Sequence, residues 1–106
     1  MKLPETICIG YQDIEVLETD FPENEQGVYL SDKPQIRIQQ DLSPREYLNT
    51  VLHECLHAIF YVYGAKSLVK DEEEEEKLVN VLGNGLAEVF SRNPELVKWV
   101  AHHAGR

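Results

Sequence analysis

Cysteine is scarce in this chain, and its scarcity closes off a class of protein. Two of 106 residues are cysteine, Cys8 and Cys55, far apart and in no Cys-x-x-Cys pair. That argues against a disulfide scaffold and against a thiolate zinc cage, and both thiols are expected to be reduced and buried. Long apolar runs are missing too, none approaching the roughly 20 residues that cross a bilayer, so no membrane partner is expected. Basic residues are few: ten Lys and Arg face nineteen Asp and Glu, for a net charge of −9. With no basic stripe to neutralise phosphates, nucleic acid is not an expected partner. The opening residues Met1 to Thr6 meet an acid and a proline at once, unlike a secretory signal, so the expected location is the cytoplasm.

What is present is ordinary for a globular chain, 42% hydrophobic and 27% charged. The length suits one domain, 1–106, around one core. Much of the acidity sits in a single run, Asp71 to Glu76; without its six charges the remainder is −3.

The first forty residues predict strands and turns. Ile7-Cys8-Ile9 and Ile14-Glu15-Val16-Leu17 are short β-type runs around a turn at Gly10-Tyr11-Gln12-Asp13. A loop is expected over Phe21-Pro22-Glu23-Asn24-Glu25-Gln26-Gly27. Val28-Tyr29-Leu30 and Ile36-Arg37-Ile38 flank Ser31-Asp32-Lys33-Pro34, a plausible hairpin connection. From position 43 the pattern turns helical. Ser43-Pro44-Arg45-Glu46 combines a capping box with proline at the first helical position, and Gly64 can end that helix after Tyr63. A second helix is expected from the cap Asp71 to about Arg92, and Asn93-Pro94 opens a short third one through Trp99. Strands first and helices after predict an α+β fold, a small antiparallel sheet layered against helices.

The first helix carries His53-Glu54-Cys55-Leu56-His57. Histidines four apart stand one above the other on one helix face, so both imidazoles can reach one metal ion. Glu54 follows about 100° around the helix, beside the metal, placed to act as general base on a water. Leu48, Val51, Leu52, Cys55, Leu56, Ile59, Phe60 and Val62 cover a wide apolar arc. The remaining gap holds His53, Glu54 and His57 with Thr50, Tyr61 and Gly64. That pattern predicts a mostly buried helix with one polar wedge.

A catalytic zinc usually takes a third protein ligand and keeps one position open. The extended pattern HExxHxxGxxH fails, because Phe60 and Tyr63 stand where its glycine and histidine belong. On the second helix, Leu78, Val79, Leu82, Leu86, Val89 and Phe90 suggest the buried face, and Glu75 projects closest to its centre. A carboxylate aimed at the core needs a partner, which zinc would supply. Glu75 is the expected third ligand, with Glu74 or Glu76 next; the terminal pair His102-His103 is a poorer source. Tyr61 or Tyr63 is a candidate donor to a developing oxyanion, although each also fits an ordinary half-buried tyrosine.

The stretch from about Val28 to Phe90 carries a family likeness. The strand Ile36-Arg37-Ile38, the helix Thr50-Val51-Leu52-His53-Glu54-Cys55-Leu56-His57-Ala58-Ile59 and the glutamate-led helix after it resemble the small HExxH proteins of bacteriophages and prophages. They are similar, more distantly, to the ImmA/IrrE-type metallopeptidases, and both groups share the gluzincin arrangement. The resemblance implies a minimal zincin fold, with a strand lying over the active helix as an edge for an extended substrate. It implies zinc held by His53, His57 and a glutamate of the second helix, Glu54 as general base, and the cytoplasm of a bacterial host. A cysteine inside the motif and the lack of a recognisable domain for substrate choice depart from a typical peptidase.

Three functions follow as expectations. The first is a zinc-dependent peptidase acting on a protein or peptide, with Ile36–Gln40 pairing to the substrate backbone. The second is a non-catalytic, zinc-stabilised protein-binding module of phage origin, since a small domain gains much stability from a metal. The third has no metal at all. Val97, Trp99 and Val100 suit either a dimer contact or core packing.

Overall fold

In the computed structural model, residues 2–21 and 25–105 are described; Pro22-Glu23-Asn24 of the expected loop lie outside them. Alternation builds the strands. In Gln12–Thr19 (β2), Gln12, Ile14 and Val16 turn inward while Asp13, Glu15 and Leu17 stay at the surface. Thr6–Ile9 (β1) pairs with β2 antiparallel, Ile9 opposite Gln12. The turn between them is tighter than expected, since Gln12 and Asp13 already belong to the strand. Gly10 has φ +56, and the Val62 side chain stands where its Cβ would be, so this corner requires glycine. The same period of two that turns Ile9 in turns Cys8 out. Cys8 is exposed rather than buried, and Cys55 half-buried, both as free thiols.

Gly27–Leu30 (β3) and Gln35–Gln39 (β4) form the expected hairpin, antiparallel. The sheet order is β1-β2-β4-β3, and β4 runs parallel to β2, so the sheet is mixed and not wholly antiparallel. The reason is burial. Ile36 and Ile38 make β4 the strand best suited to a central place, and the chain carries β3 past it to the rim before folding back. The edge strand beside the first helix is therefore β3, and β4, paired on both sides, has no free edge.

Pro44–Val62 (α1) begins with the capping box in place: Ser43 Oγ accepts from the Glu46 N–H, and the Glu46 carboxylate accepts from the Ser43 N–H. It ends at Tyr63, before Gly64 at φ +72. A short 3-10 turn, Ala65–Leu68, leads to Glu72–Arg92 (α2), capped by the Asp71 carboxylate on the Glu74 N–H. Pro94–Ala104 (α3) passes the expected stop at Trp99, because no breaker occurs before Gly105. Ile9, Ile14, Val16, Ile36, Ile38 and Ala58 form the core between sheet and α1.

Two helix faces differ from expectation. The line α1 buries most deeply is Thr50, Glu54 and Ala58, with Phe60, while Ile59 and Tyr61 of the supposed arc and gap are exposed. The polar wedge is thus the covered part, because β3 lies across it. On α2 the buried line is Glu75, Val79, Gly83 and Ala87, whereas Leu78, Leu82, Leu86 and Val89 are exposed. Small residues let α2 approach closely; a Cβ on Gly83 would already touch Leu56 and the His53 backbone. Among the described residues no helix is long and apolar enough to cross a membrane.

Candidate metal centre

His53 and His57 lie one turn apart on α1, their ring centroids separated by 4.8 Å and the planes inclined at 70°. Their Nε2 atoms are 3.2 Å apart. Two ligands on a tetrahedral zinc with bonds near 2.0–2.1 Å would sit about 3.3 Å apart, so the pair has the right spacing for one ion. The first turn of α2 supplies the acid. Glu76 places Oε1 2.8 Å from His53 Nε2 and Oε2 2.9 Å from His57 Nε2. His53, His57 and Glu76 offer ligand atoms within 4.8 Å of one another.

Glu75, the expected third ligand, is as buried as its periodicity suggested, at 7% exposure. It sits elsewhere on the histidine: its Oε2 is 2.6 Å from His57 Nδ1, the nitrogen facing away from the cluster. Periodicity identifies the residue nearest the core. It does not say which ring nitrogen that residue meets as α2 crosses α1. Glu76, on the edge of the buried face, is the carboxylate that reaches both Nε2 atoms. A carboxylate at Nδ1 can hold the proton there and so direct the Nε2 lone pair into the cluster, the usual support of a metal-bound histidine.

The chemistry of the donor set fits a cation. With Glu75 at Nδ1 and Glu76 at Nε2, the His57 ring stands between two carboxylates. That arrangement needs positive charge, either a second proton on the ring or a divalent ion. Burial lowers the His53 pKa, Glu76 opposes the shift, and His57 adds to it, so the ring favours the neutral form a metal requires. Zinc matches two imidazoles and a carboxylate with room for a fourth ligand.

Glu54 stands beside this group at 6% exposure. Burial raises its carboxyl to about 7, with His57 pulling it down and Glu76 pushing it up. Burial and the neighbouring Glu54 also raise the Cys55 thiol to about 11, and a hydrogen bond to Asp13 raises that of Cys8, so neither is a ready thiolate. Histidines and carboxylates share a cleft of about 460 Å³, walled by Gly27, Val28, Tyr29 and Ser31 opposite and by Lys66 at one side. Tyr61 lines it; Tyr63 does not. His102 and His103 are exposed on α3, where His103 stacks on Trp99.

Sequence reasoning missed β3 as the cleft wall and Gly27 as its closest approach. A Cβ at Gly27 would lie 2.8 Å from Thr50 Cγ2 and 3.1 Å from Glu54 Oε2. The signal was the lone glycine opening a strand, which often marks a close backbone approach. No known protein family, curated protein or solved structure matches the chain.

Proposed function

We propose that this chain is a zinc-dependent peptidase of minimal gluzincin type, with His53, His57 and Glu76 as ligands and Glu54 as general base. The observation that carries the reading is the convergence of two imidazole Nε2 atoms and one carboxylate beside a buried glutamate, on a cleft walled by an edge strand. Bound there, zinc would supply Lewis acidity, making water a better nucleophile and polarising a carbonyl. Glu54 takes the proton of the attacking water and returns it to the leaving amine. A carboxyl held near neutrality suits both halves of that exchange. Glu75 keeps the His57 ring in one tautomer and orientation. Gly27–Leu30, whose outer side pairs with no strand among the described residues, offers its backbone to an extended peptide, the role expected of Ile36–Gln40.

The test combines metal content with cleavage of a peptide library followed by mass spectrometry. Wild type should carry near-stoichiometric zinc and cut peptides in a chelator-sensitive way. Glu54→Gln should keep the zinc and lose activity by about 10² to 10⁴-fold. Cleavage retained by Glu54→Gln would remove the assigned base. Zinc bound with no cleavage would favour the stabilised binding module, and purified protein without divalent metal would exclude both.

A further inference from the structure

The C-terminal part of the molecule exposes apolar side chains that the core does not use. Leu78, Leu82 and Leu86 stand one position before Val79, Gly83 and Ala87 of the buried line of α2, and with Val89 they are 37% to 45% exposed. On α3 no residue is buried, although Leu96, Val97, Trp99 and Val100 lie on it, Trp99 at 57% exposure. An isolated helix this short is marginal in water, and its tertiary contacts are chiefly with α2. Core packing therefore does not account for these residues.

Surface area points the same way. A compact monomer of 12.2 kDa exposes roughly 6,000 Å² by the scaling of surface with mass. This chain exposes 7536 Å². The surplus, about 1,500 Å², exceeds the ~800 Å² that each partner contributes to a standard interface and is in the range of a permanent homodimer. The radius of gyration is 14.0 Å, against about 12.9 Å for a compact chain of this length.

Charge selects the partner. Residues 77–106 hold four basic and two acidic residues, whereas 1–76 hold six basic and seventeen acidic ones, so the net charge is +2 in one part and −11 in the other. Two copies meeting through the acidic part would repel. Through α3 and the part of α2 from Leu78 onward they meet on an apolar, nearly neutral face with a tryptophan, the make-up of an interface core.

We propose that α2 and α3 form a homodimer interface, in which Leu78, Leu82 and Leu86 of one copy pack against Leu96, Trp99 and Val100 of another across a two-fold axis. A self-complementary patch closes as a pair. Asn80 and Asn84, on the other flank of α2, line a smaller cleft of about 270 Å³ with His53 and Glu54, so pairing leaves the candidate site open.

Sedimentation velocity of the full chain, in reductant to exclude a Cys8 disulfide, tests this over about 1 to 100 µM. The expected result is a dimer at the upper concentrations. Emission of Trp99, the sole tryptophan, should shift to the red on dilution as the ring returns to water. Leu82→Lys and Trp99→Lys should each weaken association by at least about 30-fold while circular dichroism stays unchanged. Trp99, the more exposed of the two, keeps the test valid if Leu82→Lys disturbs folding. A monomer at ~100 µM, or a dimer that Trp99→Lys leaves as tight as wild type, would overturn the proposal.

Discussion

Glu54 carries an energetic cost that can be measured without any substrate. Its carboxyl is raised from an ordinary 4.5 to about 7, chiefly because burial disfavours the charged form. Below 4.5 it is protonated folded or unfolded, and its ionisation contributes nothing. As pH rises from there to 7, the unfolded chain ionises freely while the folded carboxyl resists, so stability falls and the full penalty is present above 7. A shift of this size corresponds to about 3 kcal/mol at most. Metal-free Glu54→Gln should therefore be more stable than metal-free wild type at pH 8, by about 1–3 kcal/mol. At pH 5 the difference should shrink markedly. Urea melts at both pH values check this, and a difference independent of pH would mean the carboxyl is not held in a desolvating site. The neighbouring glutamates separate by a competition titration with a chromogenic chelator. Glu76→Ala should weaken zinc binding by at least about 100-fold, and Glu75→Ala, acting through the His57 ring, by about 10 to 100-fold. The reverse order would return Glu75 to the ligand set.

Between elements, the approach of β3 to α1 decides the shape of the site. Gly27→Ala would drive a methyl group against Thr50 and Glu54, so β3 must lift from the helix, at a cost of about 1–3 kcal/mol. Denaturant unfolding should show that loss, and an unchanged midpoint would mean that β3 is not held there. How much of this was legible beforehand depends on range. Ser43, Glu46 and Asp71 act on backbone groups three residues away, so the starts of α1 and α2 are visible in the sequence. The Ser31–Pro34 hairpin is similarly local. The parallel pairing of β4 with β2 is not, because it depends on which strand wins the centre of the sheet. The α2 leucines mislead for a related reason. Periodicity marks an apolar side, but the contact with α1 selects the line beside it that holds Gly83 and Ala87. Glu76 could not be preferred to Glu75 from spacing, since the choice depends on how two helices cross.

At the level of the whole molecule, α2 is held to α1 by two things, its buried small-residue line and this cluster. The main core joins the sheet to α1, and Val79, Gly83 and Ala87 are the remaining buried residues of α2 beyond Glu75. A metal held by His53, His57 and Glu76 would tie α2 to α1 near its first turn, on the N-terminal side of the small-residue line. Ligand binding stabilises the folded state by about 2.7 kcal/mol at a hundredfold excess over Kd. In a domain of this size that corresponds to a rise in Tm of roughly 10–20 °C. At fixed protein concentration, which holds any association constant, chelation should lower Tm by this amount. It should also hasten amide exchange in 72–104 more than in β2 and β4, because the sheet and α1 keep their own core. Equal exchange with and without zinc, or loss of protection in the sheet first, would show that α2 is anchored by its small-residue line and not through the histidines.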